Sequence, residues 1–470
     1  MRQADRRPRR RHGFTLVELL VSMALIIFIM ALMSDAFSRG VEAFRNLKAI
    51  GDMQEKLRSV AIILRRDLRA DHFDAPPNHL SDQDLRPPNG TPPANGFFRI
   101  WQGSALSSTA GAPYYREGTD DNGPPGIDSY RATDQILHFT VKLTGNLRED
   151  WLTARAPSTS PLAKNKDPAN SLTPPAQNDG SYYPRDFWEP ASGSQEPAGT
   201  HLAQWAEVAY FLRPTGQFAG TTPLYGLYRR QRLAVPPPPQ NTSLNTTPAQ
   251  SLPLPGPTAN NRQPVTPNYG YYFEVSCDPD VTTANQYLYF NAAQDLTIPE
   301  RRFAANQTPH TTAGMPANRT SWYRSYSEQT GDPTLATAGN QIVPGFVAGD
   351  DLLLTNVISF EIKALWDTTD AQGNPKRGVD FQDLNVAGDP NLNLNTTYTT
   401  AGASVFDTWT TGKGSAGTTE TTYTDYAANW SVPGQWCIPA KIRVRGLQII
   451  IRVWDLKTKQ ARQMTIVQDM

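Results

Sequence analysis

The stretch RRRHGFTLVELLVSMALIIFIMALMSDAF, residues 9–37, decides how the rest of the chain is read. A basic cluster ends at His12 and Gly13, and a nearly unbroken apolar run follows from Phe14 to Met33. Such a run is long enough for one helical crossing of a hydrocarbon core. One carboxylate, Glu18, stands inside it. A charge at the centre of a spanning helix costs about 2.5–3.5 kcal/mol on insertion scales, and less near an end. An ionisable group kept there calls for a partner. A secretory signal would have a shorter apolar core and a small-x-small cut site, for which Ser34-Asp35-Ala36 is the available match. A plain membrane anchor fits the length but leaves Glu18 unexplained. The first thirteen residues hold six Arg and one Asp. That bias keeps the leader in the cytoplasm and sends the rest across.

The segment GFTLVELLVSMALIIFIM, residues 13–30, resembles the N-terminal cleavage and methylation signal of type IV pilins and type II secretion pseudopilins. Basic leader, Gly13 before the cut, Phe14 after it, Glu18 at the fifth mature position and an apolar helix behind it all match. The resemblance implies that prepilin peptidase cuts between Gly13 and Phe14. The new amine of Phe14 is then methylated and the helix is retained. It also implies that Glu18 of one subunit meets the terminal amine of a neighbour during assembly. In low dielectric such a pair is strong and an unpaired charge costly. The implied partners are prepilin peptidase, other pseudopilins, an inner-membrane secretion or pilus assembly platform, and membrane lipid. The implied location is a bacterial inner membrane, single-pass, with the C-terminal domain periplasmic.

Behind the apolar run, Ala43, Leu47, Ile50, Gln54, Leu57, Ala61, Leu64 and Leu68 recur in steps of four and three. That spacing makes one stripe on a helix. No proline interrupts Phe14 to Ala75, and Pro76-Pro77 forces a stop. A continuous helix to about residue 70 would be about 85 Å long at 1.5 Å per residue. Its second half is expected to cover a sheet, with an intermolecular coiled coil as the other reading.

QILHFTVKL and NVISFEIKALW alternate as strands. WAEVAYFL and PLYGLYRRQRL read as a pair turning around Pro214 and Gly216, YYFEVSC and QYLYFN as further strands, and AKIRVRGLQIIIRVWD with ARQMTIVQD as a terminal hairpin. The expected fold is α+β, a long N-terminal helix packed on a mostly antiparallel sheet with long polar loops. Its parts are a leader at 1–13, a transmembrane and assembly helix at 14–34, an amphipathic extension at 35–75 and a β-rich domain at 76–470. Low-complexity insertions fall at 144–200, 235–267 and 367–435; with 40 Pro and 33 Gly in 470 residues, they lengthen the chain without a second core. The order of the LYRRQR, NVISFEIKALW and IPAKIRVRGLQIII phrases looks like a J-type minor pseudopilin. The chain's length points instead to a K-type tip subunit, which usually lacks the glutamate.

Lys plus Arg and Asp plus Glu are both 44, so no global field marks a nucleic-acid partner. The six His show no metal-ligand spacing, and no Gly-x-Ser-x-Gly elbow occurs. TGKGSAGTT lacks the first glycine of a phosphate loop. Asp367, Asp370, Asn374 and Asp380 share one oxygen-rich loop that could bind calcium, without EF-hand spacing. No other cofactor is expected. Cys277 and Cys437 could form one disulfide or remain two buried thiols. The expected function is structural and not enzymatic: a minor pseudopilin of a type II secretion-like system. The alternatives are a minor pilin of a type IV pilus or competence system, and a membrane-anchored extracytoplasmic enzyme.

Overall fold

The helix predicted from residue 14 onward begins at Leu16, behind Thr15, and runs to Arg69 as α1, 54 residues long. The computed structural model describes residues 15–74, 78–86, 92–102, 117, 131–133, 135–155, 200–220, 222–234, 276–280, 287–297, 302, 350–369, 374–384, 404–408 and 442–470. The chain forms two compact units, Met1–Lys56 with Asp455–Lys459, and Leu57–Trp454 with Gln460–Met470. In the first, the apolar run of α1 is exposed throughout, and Phe37, Phe44 and Leu47 beyond it are exposed as well. Asp35 and Arg39 pair one turn apart at 3.0 Å. The turn at 455–459 is closed by the Asp455 carboxylate, which accepts from Lys457 N and Thr458 Oγ1. Burial pushes the Asp455 pKa up, but those bonds outweigh it and hold the group below its ordinary value.

In the second unit, α1 buries Leu57, Val60, Ala61, Leu64, Asp67 and Leu68. The expected stripe is therefore a packed face only from Leu57 onward; Leu47 is exposed and Ile50 half-buried. The strands are β1 Phe98–Gln102, β2 Ile136–Lys142, β3 Leu152–Arg155, β4 Thr200–Ala203, β5 Trp205–Ala219, β6 Thr222–Leu233, β7 Cys277–Asp280, β8 Tyr287–Phe290, β9 Asp350–Thr369, β10 Pro375–Lys376, β11 Ser404–Asp407, β12 Arg443–Asp455 and β13 Gln460–Asp469. The main sheet runs β11-β1-β2-β5-β6-β9-β12-β13, with β10 beside β9; β3–β4 and β7–β8 form separate pairs. It is an antiparallel half-barrel, so the molecule is α+β with the sheet dominant.

Three expectations are corrected. The hairpin does not turn at Pro214 and Gly216: β5 continues to Ala219, and the turn falls at Gly220, φ +65°. Pro214 and Gly216 instead flank a bulge, where a missing amide and a left-handed glycine (φ +74°) are absorbed without ending the strand. The segment 367–435 is not all insertion. β9 persists to Thr369, and β11 pairs with β1 from Ser404 to Asp407. Polar, glycine-rich flanks hide so short a strand. The segment 144–200 likewise holds β3 and the first residue of β4. Of YYFEVSC, residues 271–275 lie outside the described residues and Cys277 opens β7, and β1 lies in FFRIWQ.

Register between β6 and β9 is held by charge. Arg229 lies opposite Asp351, and Arg230 opposite Asp350. Neighbours on a strand point to opposite faces, so the two pairs act on opposite sides. On one side, Asp350 takes Arg230 Nε at 2.5 Å and Arg213 Nη2 at 2.7 Å. Burial raises the Asp350 pKa, but the three arginines 230, 213 and 232 outweigh it and keep it low. On the other, the buried Asp67 of α1 takes Arg229 Nε and Tyr210 Oη, each at 2.6 Å. Burial first, and Asp67 second, push the Tyr210 pKa well above normal, so the hydroxyl stays a donor. Further along, β9 leaves β6, and side chains complete its edge. Gln135 Oε1 accepts from Ile362 N, Gln102 Nε2 donates to Ile362 O, and Gln102 Oε1 accepts from Leu384 N.

Removing Asp67 strands a buried guanidinium. Asp67→Ala is expected to destabilise the second unit by about 3–5 kcal/mol. Denaturant unfolding of the full chain in detergent, followed by tryptophan fluorescence, measures it, with Arg65→Ala, at an exposed position, as the near-neutral control.

Candidate functional site

The N-terminal end of α1 is built from three polar residues in an apolar surround. Thr15 Oγ1 accepts from Glu18 N at 3.3 Å, and Thr15 O accepts from Leu19 N at 3.2 Å. Thr15 thus caps the helix, and Thr15-x-x-Glu18 has the spacing of a capping box. Glu18 lies in the first turn, where a negative side chain opposes the positive end of the helix dipole. Ser22 Oγ turns back onto Glu18 O and Leu19 O, so its hydroxyl is satisfied within the helix. Leu16, Val17, Leu19, Leu20 and Val21 around them are all at least half exposed. The capping-box spacing of Thr15 and Glu18 is the sequence signal for this role of Thr15. Gly13 and Phe14 lie outside the described residues.

The other candidates are dispersed. Asp367 Oδ1 is engaged by Arg445 Nε at 2.9 Å and Gly378 N at 3.0 Å. Asn374 and Asp380 are exposed, and Asp370 lies outside the described residues. Cys277 opens β7, with its side chain outside the description, as is Cys437. Among the described residues no group of three His, Cys, Asp or Glu could hold a metal.

One constellation escaped the sequence. His138 Nε2 meets Glu207 Oε1 at 3.0 Å, Ser276 Oγ donates to Glu207 Oε2 at 2.6 Å, and Asn291 Nδ2 donates to Ser276 Oγ at 3.0 Å. These are the residue types of a hydrolase, but the serine bonds the carboxylate and not the imidazole, and all four are buried. The cluster straps Ser276 and Asn291 onto β2 and β5. Arg302 does the same nearby, through Asp407 and the carbonyls of Leu296 and Thr297. No spacing in sequence joins residues 138, 207, 276 and 291.

The fold is helix-first and antiparallel, and its helix, capped by Thr15, is long and apolar enough to cross a membrane. Residues 8–34 match the family model described as the prokaryotic N-terminal methylation motif. This identifies the N-terminal segment as prepilin-type and fits a membrane-anchored pilin. No curated protein and no solved structure matches the chain.

Burial lowers the pKa of His72 and of His138 to about 4, against partly compensating bonds to Thr140 O and to Glu207. In each case the folded state binds fewer protons than the unfolded chain between about pH 6.5 and 4. Stability therefore falls as pH falls through that window, by up to about 3 kcal/mol for each histidine. Denaturation midpoints at pH 7 and pH 4.5 should show this loss, and His138→Gln should make it smaller.

Proposed function

We propose that the chain is a structural pilin-like subunit, a minor pseudopilin of a type II secretion-like system, anchored in the inner membrane with its sheet domain in the periplasm. The single observation that carries the reading is Glu18, held in the first turn of an exposed apolar helix within a prepilin-type methylation motif. Prepilin peptidase would cut after Gly13 and leave a methylated amine on Phe14. The carboxylate of Glu18, one turn along, is then the counter-ion available to a neighbour's amine in the same apolar layer. The motif implies assembly with other pilin-like subunits. The role is one of positioning and not of catalysis.

Two outcomes test it. Intact mass and N-terminal peptide mapping from membranes should give a mature chain starting at N-methylated Phe14, and Gly13→Glu should keep the leader. A first residue after Ala36, or an uncut Met1, would overturn the reading. Glu18→Leu should remain processed and membrane-resident, yet lose its pilin-like partners in detergent pull-downs at equal abundance. Glu18→Asp should fall between. A neighbour's amine left without its counter-ion is expected to cost several kcal/mol.

A further inference from the structure

The centre of the sheet is covered on both sides. α1 lies on one face through Leu57–Leu68 and the Asp67 contacts, and Ser276 and Arg302 are strapped onto the other through Glu207 and Asp407. Edges remain for contact with another chain. Natural sheets blunt their edges with shortness, charge, proline or bulges, because an unpaired row of N–H and C=O groups templates another strand. The β11 edge is four residues long, and its Asp407 is tied to Arg302. The β13 edge is ten residues long, and among the described residues no strand lies on its outer side. Between Arg462 and Asp469, its residues Gln463-Met464-Thr465-Ile466-Val467-Gln468 hold no charge and no proline. Gln463, Thr465 and Val467 are exposed, while Ile466 anchors the strand in the core.

We propose that β13 accepts an extended strand from a neighbouring pilin-like subunit, continuing the sheet between subunits. This rests on the assembly reading above and says where the partner docks. The edge recognises main chain, so the occupant is an extended, uncharged, β-branched segment that supplies a complementary row of backbone donors and acceptors. A second copy of β13 does not serve. Two-fold pairing that keeps both buried faces on one side would set the two 57–69 helical segments antiparallel. Chains anchored in one membrane by the residues just before them must enter it from the same side.

Photo-crosslinking of the full-length protein in its own membranes decides the matter. A benzophenone amino acid at Thr465 or Val467 should give an adduct whose cross-linked peptide comes from a strand of a chain with its own prepilin-type N-terminus. The same probe at Leu147, which is 63% exposed, should give none. The double variant Thr465→Lys/Val467→Lys, both exposed positions, should lower partner recovery tenfold or more with processing, membrane abundance and denaturation midpoint unchanged. If partners co-purify with the wild-type chain but neither position yields an adduct, or the lysines leave recovery unchanged, β13 is not the docking edge. If no pilin-like partner co-purifies with the wild-type chain, the assembly reading falls and takes this proposal with it.

Discussion

The pairing of Arg229-Arg230 with Asp351-Asp350 is the constraint on which the second unit depends. Two adjacent arginines meet two adjacent aspartates in register, one pair on each face of the sheet. Slipping β9 by one residue would bring each arginine to the wrong side of its carboxylate. A one-residue slip also turns every core side chain to the other face. Leu354, Phe360, Ile362 and Ala364 would leave the core they now line. Charge and packing therefore select the same register. The helix joins the arrangement through Asp67, which shares Arg229 with the sheet. Position along α1, pairing of β6 with β9 and burial of Leu64 and Leu68 are thus coupled through one guanidinium.

Buried charge of this kind is weak evidence for stability as such, since desolvation offsets much of the attraction. Its value here is specificity. The sheet is assembled from strands far apart in sequence, and contacts between distant segments form late and at high entropic cost. Arg302 on Asp407 and Glu207 under His138 and Ser276 act in the same sense on the other face. They assign Ser276 and Arg302 one place each on a surface that apolar contact alone would specify poorly.

What could be read in advance was what is periodic. The apolar run, Glu18 and the four-three stripe state a helix, and β2, β9, β12 and β13 alternate or run apolar strongly enough to declare themselves. The misses have physical causes. β11 is four residues among threonines and glycines and exists only because β1 offers an edge. Pro214 and Gly216 read as a turn because both residues favour turns, while the pairing of Phe218 with Pro223 beyond them overrides that preference and leaves a bulge. At the N-terminus the charge of Glu18 was legible as an anomaly, and Thr15 was legible only once the helix start was fixed by geometry. The His138–Glu207–Ser276–Asn291 cluster depends on three-dimensional closure and has no local signal.

The Arg-Asp clasp also bears on how such chains change length. It closes the path that leaves the sheet after Leu233 and returns at Asp350. Once both ends are fixed, each doubling of the intervening chain costs only about 0.6 kcal/mol of closure entropy. Residues can therefore be added to this path at low entropic cost away from Ser276, Asn291 and Arg302, which the sheet holds by buried bonds. Overall size is then a poor record of ancestry in chains built this way. The pairing of RR with DD across a variable gap is the more durable character by which to align them.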